Sequence, residues 1–206
     1  MGTTGNDKPI IGILALQGDF DAHRNMLEEA VGVETMQVRS PEHLSLVKGL
    51  ILPGGESTTI AKLMIRNGLD TSIRTRAMAG MPLYGTCAGL ILLAREIEGR
   101  PDQPTLGLLD VTVARNAFGR QVDSFEADIP LALNESELGN VRGVFIRAPF
   151  VTRVGDHVEI LATFQDKIVG VREQNILGTA FHPELTEDSR LHAFFAKMVV
   201  NSREER

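Results

Sequence analysis

Three short segments carry residues whose types and spacing could do chemistry. The first is Gly85-Thr-Cys87-Ala-Gly89, centred on the chain's one cysteine. Small residues on both sides of a nucleophile let neighbouring backbone approach a tight, strained turn. Placed between an apolar strand and a helical stretch, the segment has the form of a nucleophile elbow, with cysteine where hydrolases use serine. Such an elbow sets the thiol at a helix N-terminus, which favours thiolate. It also aims the N–H of the next residue, Ala88, at a developing oxyanion. The plainer alternative is a buried structural thiol, because free cysteine is among the most buried residue types. The flanking glycines and the strand-to-helix setting favour the nucleophile.

A thiol nucleophile needs a base, and the base needs an orienting group. Of the five histidines, His23 and His192 fall on predicted helices, and His43 and His157 lie beside turn signals. Each of these four reads most simply as a surface or rim residue. His182 differs. It follows the apolar run 176–181 in Phe181-His-Pro-Glu184, at the carboxyl end of a predicted strand, and Glu184 supplies a carboxylate two residues on. That spacing permits the pairing without requiring it, since residues two apart share a face on a strand but need not on a turn. The third segment, Pro53-Gly54-Gly55-Glu56-Ser57, follows the run Leu50-Ile-Leu52. Paired glycines after a strand expose backbone N–H groups that can cradle an anion, and Ser57 could equally cap the next helix. No Gly-Lys-Ser/Thr follows, so a Walker-type nucleotide loop is disfavoured, and no His/Cys cluster has metal-ligand spacing.

The elements that must position these segments follow from the apolar pattern. Residues 10–16, 33–38, 50–52 and 82–85 read as short strands. Helical stretches fall at 19–30, 57–67, 69–79 and 88–96, with Met26, Leu27 and Ala30 on one face of the first. Alternation of this kind gives a doubly wound, mostly parallel sheet with helices on both faces, whose ligands sit beyond the carboxyl ends of the strands. From 107 to 181 the pattern changes to strand-like stretches at 107–115, 122–129, 141–147, 157–163, 168–173 and 176–181, expected as extra antiparallel strands of the same sheet. Residues 187–201 form a closing amphipathic helix with Leu191, Phe194, Phe195 and Met198 buried. The expectation is one α/β domain over 9–203 behind a flexible tail, residues 1–8.

Composition narrows the function classes. The chain has 206 residues, 43% hydrophobic and 23% charged, which excludes a disordered, collagenous or coiled-coil chain. A net charge of −6, from 21 basic and 27 acidic residues, gives no global footprint for nucleic acid or an anionic membrane. One cysteine forms no internal disulfide. No apolar run approaches bilayer length, and the polar start lacks a signal-peptide core. Asn134-Glu-Ser136 fits a glycosylation acceptor that a cytosolic protein would not use. The chain reads as cytoplasmic.

Taken together, the three segments resemble the class I glutamine amidotransferases, the triad glutaminases. More narrowly, the chain is similar to the glutaminase-subunit family of pyridoxal phosphate synthases. That likeness rests on Leu16-Gln-Gly18, Pro53-Gly-Gly-Glu-Ser-Thr58, Arg115-Asn-Ala-Phe-Gly-Arg-Gln-Val-Asp-Ser-Phe-Glu126, Val144-Phe-Ile-Arg-Ala-Pro149 and Phe181-His-Pro-Glu-Leu-Thr-Glu187. The resemblance implies a flavodoxin-like fold in which Cys87 is the nucleophile, His182 the general base and acid, and Glu184 its orienter. It implies glutamine binding by Gly55, Glu56, Ser57, Arg115, Ile146 and Arg147, and an oxyanion hole from Ala88 and the Gly54-Gly55 turn. It further implies a synthase partner subunit that activates the chain and receives its ammonia, with pyridoxal phosphate made on the partner and no cofactor or metal here. A single domain of this length has room for a glutaminase but not for an ammonia-acceptor site, which also argues for a second chain. The loop at 99–105 matches none of these motifs. Two rivals remain at this point: a stand-alone thiol hydrolase of the same fold acting on γ-glutamyl compounds, and a catalytically silent subunit.

Overall fold

The computed structural model describes residues 9–115, 124–132 and 139–202. The tail at 1–8, the stretch 116–123 of the Arg115–Glu126 motif and Asn134-Glu-Ser136 lie outside the described residues. The frame is a sheet whose first half is five parallel strands: β1 (Ile11–Leu14), β2 (Thr35–Val38), β3 (Gly49–Leu52), β4 (Leu83–Thr86) and β12 (Ile176–Thr179), in spatial order β2-β1-β3-β4-β12 with β2 at the edge. All four residues of β1, β3, β4 and β12 are buried, as continuous Ile/Leu-rich runs covered on both faces require.

Alternate residues feed two apolar layers. Ile11, Ile13, Ile51, Tyr84 and Leu177 meet α1 (Phe20–Asn25), its π-helical continuation Met26–Val31, and α6 (Arg190–Asn201). Leu14, Leu50, Leu52 and Leu83 meet α2 (Pro41–Ser45), α3 (Ser57–Arg66), α4 (Leu69–Met78) and α5 (Ala88–Leu93). The doubly wound reading therefore holds. Because β1, β3, β4 and β12 are parallel neighbours, their carboxyl ends share one rim, where Gln17, Pro53-Gly-Gly55, Cys87 and His182 emerge.

Several expectations need correction. The helix expected over 88–96 stops at Leu93. Ala94–Ile97 is instead β5, parallel to β6 (Leu109–Ala114). Ile97 follows Leu93 by four residues and so mimics helical spacing, but pairing with β6 wins. Beyond β12 the sheet continues through β11 (Lys167–Glu173), β9 (Phe150–Val154), β6 and β5, with β10 (Glu159–Phe164) beside β11. The β9 strand was not expected from the pattern. The stretches at 122–129 and 141–147 do not join this sheet. As β7 (Ser124–Pro130) and β8 (Asn140–Ile146) they form a separate antiparallel pair. Phe125 and Phe145 stack within that pair, and Phe145 packs on Phe181, so an aromatic column roots it beside the site. In α6, Leu191, Phe194 and Phe195 are buried, and Val199 rather than Met198 completes the stripe. Ala30, expected on the buried face, is exposed. No helix among the described residues is long and apolar enough to cross a membrane.

Candidate active site

Cys87 sits at the turn from β4 into α5 with φ 48° and ψ −102°, a strained backbone for a residue with a β-carbon. Two features hold it there. Its N–H donates to the Thr179 carbonyl at 2.8 Å, tying the turn to β12. The two glycines of the elbow also admit contacts that no side chain could: a Cβ on Gly85 would lie 2.5 Å from the Gly89 carbonyl carbon, and one on Gly89 2.0 Å from the Leu52 carbonyl oxygen. The first turn of α5 is thereby pressed against β3. The Cys87 side chain is only 8% exposed, and its Sγ lies 3.9 Å from the Ile146 carbonyl oxygen. Ala88 is the first residue of α5, so its N–H has no intrahelical partner.

His182 leaves the end of β12 on the next parallel strand. Its backbone exchanges two hydrogen bonds with Val144 of β8, at 2.8 and 3.3 Å, so the β7–β8 pair braces the histidine and carries Ile146 over the thiol. His182 Nδ1–H donates to Glu184 Oε1 at 2.7 Å within the 3₁₀ turn Pro183–Leu185. Burial alone would depress the imidazole. Hydrogen bonds with Cys87 and Glu184 and their negative charge outweigh it, and the pKa is pushed up to about 10. Burial likewise opposes ionisation of Glu184, and His23 and His182 outweigh it, holding the carboxyl well below its usual range. Cys87, His182 and Glu184 thus form one connected group.

The reading of His23 and His192 as surface or rim residues is overturned: both are fully buried. His23 Nε2 lies 3.3 Å from Glu184 Oε1 and 3.1 Å from Thr86 Oγ1, and His23 Nδ1 lies 2.9 Å from His192 Nε2. His43 and His157 are exposed, as expected.

The turn after β3 faces this group. Gly54 packs on the His182 ring: a Cβ there would lie 2.2 Å from His182 Cε1. Gln17, from the end of β1, accepts the Glu56 N–H at 2.7 Å through Oε1 and so pins the turn. Ser57 is buried at the start of α3, while the helix-capping side chain is that of Glu56 rather than the expected Ser57. Glu56 Oε1 accepts from the Thr58 hydroxyl at 2.6 Å and from an Arg115 N–H at 3.2 Å; these contacts, Thr58 foremost, hold its carboxyl below the usual value. A second Arg115 N–H donates to Gln103 Oε1 at 2.9 Å, and Gln103 Nε2 donates to Ser57 Oγ at 2.9 Å. Gln103 belongs to the loop 99–105, which matched no motif, and it joins two residues expected to bind substrate. Nothing in its local sequence signals that role. Arg147 is exposed beside Ile146, in a left-handed conformation with φ 43°.

Residues 13–201 match the SNO glutamine amidotransferase family. The chain belongs to that family. It is 52% identical over 189 residues to pyridoxal 5'-phosphate synthase subunit PdxT of Moorella thermoacetica, covering 92% of this chain and 98% of the relative. It is 55% identical to the protein of the same name from Herpetosiphon aurantiacus, covering 90% of this chain and 97% of the relative. A crystal structure of a glutamine amidotransferase, 51% identical, superposes with a TM-score of 0.87 over 92% of this chain and 98% of that one. The chain aligns over nearly the full length of all three and shares the fold of the last.

Proposed function

We propose that this chain hydrolyses L-glutamine to L-glutamate and ammonia, and delivers the ammonia to a synthase partner that makes pyridoxal 5'-phosphate. The observation that carries the reading is the connected Cys87–His182–Glu184 group on the carboxyl ends of two neighbouring parallel strands. The high sequence identity to relatives named as subunits of that synthase supports the partner and product.

With His182 raised to about 10, the imidazole is protonated at neutral pH and faces the Cys87 sulfur. Thiolate attacks the carboxamide carbon, and the carbonyl oxygen becomes an oxyanion held by the Ala88 N–H and an N–H of the Gly54-Gly55 turn; one such donor is worth about 2.7–4 kcal/mol of barrier. His182 gives its proton to the departing nitrogen, the C–N bond breaks, and ammonia leaves a γ-glutamyl thioester. The now neutral imidazole takes a proton from water, whose oxygen attacks the thioester carbon. The C–S bond then breaks, glutamate departs, and the thiolate–imidazolium pair returns. Arg115, with Glu56, Ser57 and the 146–147 turn, meets the amino-acid end of the substrate, where a guanidinium fork suits an α-carboxylate. Ammonia released into water would protonate and be lost, which favours direct transfer to the partner. A partner that reorients the Gly54-Gly55 peptide would complete the oxyanion hole and switch the chain on. A thiol that must stay reduced favours the cytoplasm as the compartment.

Glutamate production is to be measured for the chain alone, with the synthase partner, and for Cys87→Ala. Partner-stimulated hydrolysis that vanishes in the variant is the expected result. Activity surviving in Cys87→Ala removes the nucleophile, and partner-independent hydrolysis of γ-glutamyl peptides points instead to a stand-alone hydrolase.

A further inference from the structure

Glu184 has two imidazoles on one oxygen. His182 Nδ1 lies 2.7 Å from Oε1, and His23 Nε2 lies 3.3 Å from the same atom. The triad chemistry uses only the first. His23 is fully buried, and a buried imidazole kept beneath a catalytic carboxylate calls for an account.

The Glu184 carboxylate only accepts, so His23 Nε2 carries hydrogen. Burial pushes His192 down to about 3, so that ring is neutral and has one N–H. Buried His192 Nδ1 has no hydrogen-bond partner. An orphaned buried N–H is rarer than an unpaired acceptor, so the N–H of His192 lies on Nε2 and donates to His23 Nδ1 at 2.9 Å. In this arrangement His23 Nδ1 accepts and His23 Nε2 donates. Tyr84, itself fully buried, stands edge-on to His192 with ring centroids 6.0 Å apart, which confines the pair. His23 Nε2 also lies 3.1 Å from the hydroxyl of Thr86, the residue before the nucleophile. One side chain from α1 therefore touches both halves of the site: the strand that ends in Cys87 and the turn that holds His182.

We propose that His23, oriented from behind by His192, is a positioning residue that fixes Glu184 Oε1, and through it the ring of His182, relative to the Cys87 strand. The proposal rests on the glutaminase reading above and deepens it. With the second donor gone, Glu184 keeps a single partner and the His182 ring gains freedom to swing away from the thiol.

The test compares His23→Leu and His23→Gln in the complex with the synthase partner, by kcat and KM for glutamine. Gln keeps an N–H donor near the place of Nε2, whereas Leu keeps only bulk. His23→Leu should lose kcat on the order of 10-fold or more with KM within about twofold, and His23→Gln should recover most of the loss. Wild-type kcat in His23→Leu overturns the proposal, as does a loss shared by kcat and KM that Gln does not relieve. Should the Leu variant not fold, ¹⁵N-histidine NMR of the wild-type chain decides instead. A protonated Nε2 and a bare Nδ1 on His23 are expected, and a bare Nε2 overturns the proposal. The wild type and Cys87→Ala, assayed alongside, test the glutaminase reading separately: failure of glutamine turnover in the wild type sinks that reading and leaves the tautomer result standing.

Discussion

The two ends of the cleft are built differently. At the chemical end, Cys87, His182 and Glu184 are buried side chains on the carboxyl ends of β4 and β12, tied by backbone hydrogen bonds to Thr179 and Val144. At the recognition end, Glu56 and Arg147 are exposed, and Arg115 and Gln103 are partly so, on loops that follow β3, β8, β6 and β5. The first end has no slack: glycine contacts near 2 Å leave no room for a methyl group. The second is a set of side-chain hydrogen bonds around 3 Å that can rearrange. Substitutions at the chemical end should therefore act on kcat, and on the fold where they add bulk, and those at the recognition end on KM.

The strongest way to break this contrast is at the sulfur. Cys87→Ala should lower kcat by at least about 10⁴-fold, as loss of a triad nucleophile does, with no change in thermal midpoint beyond a degree or so attributable to one buried sulfur. Gly54→Ala comes next. Its Cβ would fall 2.2 Å from His182 Cε1, and a ring cannot bend. Either the histidine or the turn must move. A displacement of about 1 Å costs on the order of 10²-fold in kcat, and overpacking costs about 1–3 kcal/mol of stability. Steady-state kinetics and urea unfolding check both. A Gly54→Ala enzyme with wild-type kcat and a raised KM would erase the distinction between the two ends.

Acid sharpens the comparison further. The folded Glu184 carboxyl is depressed below its ordinary 4.5, so it contributes stability above that value and loses it as pH falls through the folded pKa. Its burial makes that contribution resistant to screening. The urea midpoint of the wild type should therefore begin to drop near pH 5 and keep falling as the solution is acidified, and Glu184→Gln should flatten that acid limb. Glu56 is also depressed, but it is exposed, and Glu56→Gln should leave the limb unchanged.

The same contrast governs what could be read from the sequence. The chemical end was legible because an elbow compresses strand, strained turn and helix into five residues, and because β12 ends in His-Pro-Glu. Parallel strands buried on both faces are continuous apolar runs, so the frame was legible too. Non-local pairing was not. Nothing near Ala94-Arg-Glu-Ile97 says that β6 will pair with it. Nothing near Phe125 or Phe145 says that β7 and β8 will leave the main sheet to brace His182. His23 sits in a polar-looking helix and His192 in an amphipathic one, and only the packing of α1 and α6 on one face of the sheet buries them together.

Gln103 is the smallest test and the most direct one for the recognition end. Its carboxamide bonds Arg115 on one side and Ser57 on the other, so it sets the angle at which the guanidinium enters the cleft. It touches no residue of the Cys87–His182–Glu184 group in any described hydrogen bond. One neutral hydrogen bond is worth about 0.5–1.5 kcal/mol net, so Gln103→Ala should raise KM for glutamine about two- to tenfold with kcat unchanged. Arg115→Ala, which removes the charge itself, should raise KM further, because hydrogen bonds to charged groups are worth about 1.5–3 kcal/mol. The two losses should not add, since without Arg115 the loop residue has nothing left to aim. Were Gln103→Ala to lower kcat instead, the loop at 99–105 would act on the chemical end, and the division between the two ends would fail at its weakest contact.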